Sequence, residues 1–225
     1  MASTVQATTR PAGTRGEQLT GAVAQWIQGH RQAVVYIAIG LVVASLVLVW
    51  SLWSGRQAEA RAAEQLSQAR FALESENLPL AASEFARIAE NYAGTRAADE
   101  STLLLAHVRL LQGQNEQAVT VLRDFAPRAD SRYRAQAYGL LAAAYENLGR
   151  WREAAEASEK AAAEALWPAL QAQFLVDAGV NWAAAGDTTR AVANLKRVIA
   201  EFEETGPAGE AKVRLGEITK GAGAS

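Results

Sequence analysis

The sequence contains no cysteine, and only two histidines and five prolines occur among its 225 residues. The missing cysteine excludes disulfides, thiolate metal sites and thiol catalysis, and two histidines are too few for a multi-histidine metal centre. The sequence contains neither a glycine-rich phosphate loop nor a nucleophile elbow. His107 has no nucleophile at a helical spacing that would make it a general base. The sequence therefore favours a non-enzymatic protein that uses no cofactor and no metal.

An excess of charge of either sign is also missing, because the formal net charge is −2. This balance argues against a nucleic-acid partner. Half of the residues are apolar, which excludes a wholly disordered chain. The charge is nevertheless divided, with +3 on residues 1–56 and −5 on residues 57–225. Such a division indicates two segments in different environments.

An uncharged run, AVVYIAIGLVVASLVLVWSLW, extends over residues 33–53. As a helix rising about 1.5 Å per residue it would be about 31 Å long, which matches the hydrocarbon core of a bilayer. We therefore predict one transmembrane helix at residues 33–53. The residues expected at its membrane interfaces are Trp26, Arg31, Tyr36, Trp50, Trp53 and Arg56.

Two other interpretations of this run are a buried core helix and a cleaved signal peptide with Ala58-Glu59-Ala60 as the cleavage site. A core helix is seldom apolar on all of its faces over such a length. The run is also longer than the apolar region of a signal peptide, which has about 7–15 residues. Arginines flank the run on both sides, so the charge pattern does not set the orientation in the membrane.

Residues 1–32 are predicted to form a polar tail and a short amphipathic helix. Leu19, Val23, Trp26 and Ile27 follow one another at i, i+4, i+7 and i+8, which places them on one helical face. A helix of this kind can lie among the lipid headgroups, or it can dock onto a membrane partner. The sequence leaves both alternatives open.

After the apolar run, three sets of positions repeat at intervals of 36 or 37 residues. The small residues are Ala81, Ala118, Ala154 and Ala191; four positions later stand Phe85, Leu122, Ser158 and Leu195; three further on stand Ile88, Phe125, Ala161 and Val198. Turn glycines recur in the same phase at Gly113, Gly149 and Gly186. This regularity indicates stacked units, each made of two helices joined at a glycine turn.

The third unit has the pattern Tyr138-x2-Leu141-Ala142-x2-Tyr145, which resembles the W-x2-L-G-x2-Y signature of the tetratricopeptide repeat (TPR) family. The resemblance implies a solenoid of about four helical hairpins. With the transmembrane helix predicted from the apolar run, the expected fold is all-α. The predicted domain covers 57–220, with repeats at about 60–94, 98–130, 134–168 and 171–205 and a capping helix at 207–220. The first repeat has Glu76-Asn77 where the others have a turn glycine.

In the TPR family the first helix of each repeat lines a concave surface. The residues that this geometry implies for partner contact are Leu66, Arg70, Leu73, Leu103, His107, Leu110, Gly139, Ala143, Glu146, Val176, Val180 and Ala183. The strip is mostly apolar and small, which suits an amphipathic helix of a partner or a segment of the chain itself. The clustered basic and amide residues with which some members of the family hold a peptide C-terminus are not matched in this sequence.

The order of parts, a short tail, one span and then repeats, is similar to that of the bacterial ancillary subunit of the Sec translocon. This resemblance implies an inner-membrane protein with a cytoplasmic N-terminus and periplasmic repeats. The expected partners are the lipid bilayer and other membrane or periplasmic proteins, within a larger complex. The leading hypothesis is a membrane-anchored scaffold or adaptor, such as an ancillary translocon or chaperone-like subunit. The alternative is an accessory subunit that stabilises a large energy-transducing or photosynthetic membrane complex.

Overall fold

The computed structural model describes residues 31–222. The predicted polar tail, the apolar face of the amphipathic segment and Trp26 lie outside the described residues. The described residues form helices joined by short turns, with no strand among them, which confirms the all-α prediction. The chain divides into two compact units, Met1–Ser54 and Gly55–Ser225.

The described part of the first unit is a stretch of helix α1 (Arg31–Glu74), which begins in this unit and ends in the second. Its apolar side chains, among them Val42 and Leu46, are exposed. Within the described residues, one helix segment, Ile39–Glu74, has the length and apolar composition needed to cross a membrane. This segment contains most of the run in which the transmembrane helix is predicted.

The second unit is built from antiparallel helix pairs that follow α1. Its helices are α2 (Leu78–Asn91), α3 (Arg96–Leu111), α4 (Asn115–Phe125), a 3-10 turn (Ala126–Arg128), α5 (Ser131–Asn147), α6 (Trp151–Glu164), α7 (Pro168–Ala184), α8 (Thr188–Glu201) and α9 (Gly206–Ala222). Consecutive helices from α2 onwards pack against each other. The first helices of repeats two and three, α3 and α5, also touch, and α7 contacts the terminal helix α9. The predicted solenoid of stacked hairpins with a terminal capping helix is therefore present.

The repeated small residues of the sequence lie where the helices of a hairpin approach most closely. Ala81, Ala118, Ala154 and Ala191 are all completely buried. Alanine allows this approach because its side chain adds almost no thickness to the helix. In three of the four repeats the residue four positions later is large, apolar and also completely buried. Burial of each such side chain contributes about 1.5–3 kcal/mol to folding.

Helix boundaries extend beyond the predicted repeat boundaries where a local signal starts a helix early. Helix α3 begins at Arg96 because the Thr95 hydroxyl accepts a hydrogen bond from the backbone N–H of Ala98 at 3.1 Å. Helix α7 begins at Pro168, since proline suits the first turn of a helix, where its missing N–H costs nothing. Both helices start two or three residues before the predicted repeats at 98 and 171.

The first helix of repeat one is the C-terminal part of α1. Ala62 and Leu66 are buried there in one apolar cluster with Phe85 and Ile88 of α2. This segment of α1 therefore has the same place in its hairpin as α3, α5 and α7 have in theirs.

A carboxylate of α1 also binds the start of the next repeat. Glu59 accepts hydrogen bonds from the backbone N–H groups of Arg96 at 2.8 Å and Ala97 at 3.3 Å. The first N–H groups of a helix have no partner within the helix, and a negative charge at that end is favourable. Glu59 thus couples the first repeat to the second.

The hairpin turns require a backbone conformation that glycine adopts without strain. Gly113, Gly149 and Gly186 have φ values of 72°, 69° and 83°. The corresponding residue of repeat one is Glu76, and it takes the same left-handed conformation with φ of 57°. The turn of repeat one therefore has the geometry of the others despite its different residue, at a steric cost of about 1 kcal/mol.

We expect Glu76→Gly to raise the free energy of unfolding by about 1 kcal/mol, because glycine removes the clash of Cβ with its own backbone. Urea unfolding of the full-length protein in detergent, followed by circular dichroism, measures the change. The matched control is Glu156→Gly on the exposed face of α6, where the same substitution should lower stability by about 1 kcal/mol. A loss of stability at position 76 would contradict the prediction.

Candidate partner-binding surface

The structure separates the twelve predicted contact residues into buried and accessible groups. Leu66, Leu103 and Val176 are buried, each in an apolar cluster that includes residues of the following helices. Their side chains therefore contribute to packing between repeats and do not face an open surface. The remaining nine are partly or fully accessible: Arg70, Leu73, His107, Leu110, Gly139, Ala143, Glu146, Val180 and Ala183.

In the first two repeats, two of the accessible residues carry polar side chains, Arg70 and His107. The guanidinium of Arg70 is paired with the carboxylate of Glu100 on α3, and both side chains are partly exposed. His107 is exposed on α3. An exposed ion pair of this kind contributes little to stability.

In the last two repeats the predicted residues border a cavity of about 360 Å³. Gly139, Ala143 and Glu146 line it from α5, and Val180 lines it from α7. The other lining residues are Ala142, Trp151, Ser158, Phe174, Asp177, Asn181, Glu210 and Arg214. The cavity therefore lies among α5, α6, α7 and α9, and four of its twelve lining residues are among those predicted from the sequence.

The cavity occurs at a position where one repeat departs from the others. Phe85, Leu122 and Leu195 fill the equivalent position of repeats one, two and four, and all three are completely buried. Repeat three has Ser158 at this position, so the volume of a large apolar side chain is missing there. On the α5 side, the ring of Phe174 occupies the space that a Cβ would take at Gly139.

Acidic side chains dominate the charge of the cavity. Glu146, Asp177 and Glu210 line it together with one cation, Arg214. Arg214 already forms ion pairs with Glu210 at 3.5 Å and with Glu217 at 3.2 Å. The carboxylates of Glu146 and Asp177 have no cationic partner among the described residues.

Amide side chains hold these two carboxylates in position. Asn181 donates a hydrogen bond from Nδ2 to Oε1 of Glu146 at 2.5 Å, and Gln173 donates from Nε2 to Oδ1 of Asp177 at 3.0 Å. Burial raises the pKa of Asp177, the Gln173 hydrogen bond opposes that change, and the negative charges of Glu146 and Glu210 add to it. Asp177 is therefore a carboxylate whose charged form the surroundings disfavour.

We expect Asp177→Asn to raise the melting temperature of the protein at pH 7. A raised pKa means that the folded state holds the proton more tightly, so stability is lost as the pH rises through the folded-state pKa. Asparagine removes this penalty and can still accept the hydrogen bond from Gln173. Thermal unfolding between pH 3 and pH 8 should show a difference that is full at neutral pH and disappears below the ordinary carboxyl pKa of 3.8. Equal melting temperatures at pH 7 would contradict this expectation.

The predicted membrane-interface residues that the structure describes all lie on α1. Arg31 is the first residue of the helix. The side chains of Tyr36, Trp50, Trp53 and Arg56 are exposed, and the rings of the two tryptophans are 6.0 Å apart. Contact of these residues with lipid stays a prediction.

The chemistry-bearing residues that sequence reasoning missed come from several helices. Asp177 is on α7, Ser158 is on α6, and Glu210 and Arg214 are on α9. The one available signal was Ser158, which interrupts a column of large apolar residues. Within the described residues, no group of three or more histidine, cysteine or acidic side chains could hold a metal ion.

Comparison with known proteins identifies the fold. The sequence matches no protein-family model, and the comparison with curated proteins gives no match. Among solved structures, a kinesin light chain-like protein from Podosopora anserina with nearly identical TPR-like repeats has a TM-score of 0.59 at 20% identity, covering 74% of this chain and 89% of that one. The crystal structure of MamA has a TM-score of 0.56 at 18% identity, covering 69% and 84%. The chain therefore has a TPR-like solenoid fold.

Proposed function

We propose that this protein is a non-enzymatic, membrane-anchored adaptor whose first helices bind another polypeptide. The observation that carries the proposal is the cavity among α5, α6, α7 and α9, which the described residues of the chain leave unfilled. A solenoid of this type presents its first helices on one continuous surface, which is a common site for peptide segments. The cavity lies on this surface.

Membrane anchoring is proposed on the apolar part of α1. The segment Ile39–Glu74 meets the length and composition required to cross a bilayer, and its apolar window is not buried by other parts of the protein. An unburied apolar helix of this length is unfavourable in water and favourable in lipid. From the similarity in order of parts, we further propose a cytoplasmic N-terminus and periplasmic repeats.

The lining of the cavity supports binding and gives no support to catalysis. It contains carboxylates, one guanidinium, one amide, one hydroxyl and apolar side chains, without a histidine or lysine that could activate a nucleophile. The neighbouring carboxylates are held by amide groups, which fixes their positions for recognition. This composition suits a site that binds a partner.

Site-specific photocrosslinking in native membranes tests the proposal. A photoreactive amino acid is placed at Val180, an exposed residue of the cavity wall, and the matched control carries it at Ala200, which is exposed on α8. Crosslinked proteins are identified by mass spectrometry. We expect polypeptide adducts from position 180 that are absent or much weaker from position 200.

The identity of the adducts separates the finer roles. Transient adducts with many exported chains would support an ancillary translocon or chaperone-like subunit, whereas stoichiometric adducts with one large assembly would support an accessory structural subunit. Equal labelling from both positions would contradict a binding surface on the first helices. Resistance of the protein to carbonate extraction tests the anchor, and protease protection in sealed vesicles tests the periplasmic location of the repeats.

A further inference from the structure

A buried hydroxyl without a partner borders the cavity of repeats three and four. Ser158 is 1% exposed, and its Oγ has no hydrogen-bond partner among the described residues. Asn181, which is 2% exposed, also lines the cavity and makes a hydrogen bond to Glu146. Buried polar groups are normally hydrogen-bonded, and an unpaired one costs about 1–3 kcal/mol. The unpaired hydroxyl therefore lies beside the cavity, at the position where the other repeats bury a large apolar side chain.

The charge of the cavity restricts that ligand to a cation. Three carboxylates face one guanidinium, and the guanidinium of Arg214 is already paired with Glu210 and Glu217. A partner carboxylate would be repelled, and a purely apolar side chain would leave the carboxylate of Asp177 buried without a counter-charge. The described residues provide no cluster suited to a metal ion.

We propose that this cavity binds the side chain of a lysine or arginine in a partner polypeptide, a proposal that rests on the polypeptide-binding function above. The carboxylates of Glu146 and Asp177 bind the cationic end. Ala143, Phe174 and Val180 supply an apolar wall for the aliphatic stem. Both parts of a basic side chain therefore find matching groups.

One residue of the lining provides a variant that should narrow the site. Leucine stands at the position equivalent to Ser158 in repeats two and four, where it is completely buried. Ser158→Leu should therefore fold, narrow the cavity and remove the unpaired hydroxyl. Asp177→Asn removes the counter-charge without changing the shape. Asp124→Asn, at an exposed position on α4, is the control with the same change in charge.

The test uses the full-length protein in detergent and an array of random nine-residue peptides. The tightest peptide is resynthesised with each lysine or arginine replaced by norleucine, and each version is titrated against the four proteins by fluorescence polarisation. We expect one basic residue whose replacement weakens binding by about tenfold or more. Asp177→Asn and Ser158→Leu should weaken the parent peptide to a similar degree, and neither should affect the norleucine peptide further. Asp124→Asn should leave binding unchanged.

Each outcome either supports or overturns the proposal. Peptides that bind without a required basic residue, or that bind Ser158→Leu as tightly as the wild type, would overturn it and leave polypeptide binding intact. A third outcome is that no peptide binds, while saturation-transfer NMR shows that n-butylammonium binds the wild type and not Asp177→Asn. The site would then bind a free amine, and the proposal that the cation belongs to a partner polypeptide would be wrong. Absence of binding to peptides and amine alike would overturn this inference, whereas the proposed function is decided separately by crosslinking from Val180 and Ala200.

Discussion

Replacement of Trp182 by alanine should lower the free energy of unfolding by about 3–5 kcal/mol, the largest single effect we expect in this protein. Trp182 is 0% exposed and lies in an apolar cluster with Ala155 and Ala191. Its Nε1 donates a hydrogen bond to Oε1 of Glu159 at 2.7 Å, and the guanidinium of Arg190 lies 4.4 Å from the ring centroid. Alanine removes all of these contacts and leaves a cavity that the small neighbours cannot fill.

The matched control is Trp167→Ala, because Trp167 is 72% exposed between α6 and α7. We expect this variant to change stability by less than about 0.5 kcal/mol. Urea unfolding followed by circular dichroism measures both variants in the same detergent. Comparable losses of unfolding free energy in the two variants would contradict the packing of repeat four around Trp182.

Replacement of Gly179 by valine should destabilise the protein by about 2–3 kcal/mol through overpacking. A Cβ at this position would lie 2.8 Å from Cγ of Leu195 and 3.3 Å from the backbone oxygen of Ala191. Helices α7 and α8 would have to separate to admit the new side chain, since a backbone oxygen cannot rotate away. The close approach of these helices therefore requires glycine at position 179.

Gly216→Val on α9 is the control for this substitution, because no atom lies within 4 Å of a Cβ built at Gly216. Valine has a somewhat better helix propensity than glycine, so this variant should be neutral or slightly more stable. Thermal unfolding of the two valine variants gives the comparison. A Gly179→Val protein as stable as the Gly216→Val protein would contradict the close packing of α7 on α8.

The architecture could be predicted from the sequence because its determinants recur along the chain. Ala81, Ala118, Ala154 and Ala191 mark the contact between the helices of each hairpin, and all four are buried as the repeat pattern requires. The continuation of α1 into repeat one was harder to foresee, since Glu76 replaces the turn glycine. The packing of the hairpin imposes the left-handed conformation on Glu76, although a residue with a Cβ disfavours it.

The candidate site could be predicted only in part, because it depends on contacts between distant segments. Leu103 and Val176 were expected on the open surface, but each is buried in a cluster that extends into the next repeat or the cap. Asp177 and Glu210 line the same cavity although they belong to different helices. No local sequence pattern predicts that they lie close together. In the sequence, Ser158 differs from the large apolar residues at the equivalent positions of the other repeats. Its effect on the volume of the cavity could be recognised only in the packed structure.

The cavity among α5, α6, α7 and α9 also shows how one repeat of a solenoid can come to differ from the others. Phe85, Leu122 and Leu195 are completely buried at this position, whereas Ser158 stands there in repeat three and lines the cavity. A repeat with a small residue at this position lacks a buried leucine or phenylalanine, whose contribution to the stability of a folded domain is roughly 2–5 kcal/mol. Natural domains have total stabilities of only about 5–15 kcal/mol, so a solenoid of this length can contain very few repeats with such a cavity. Diversification by this route is therefore limited by thermodynamics before it is limited by the number of repeats.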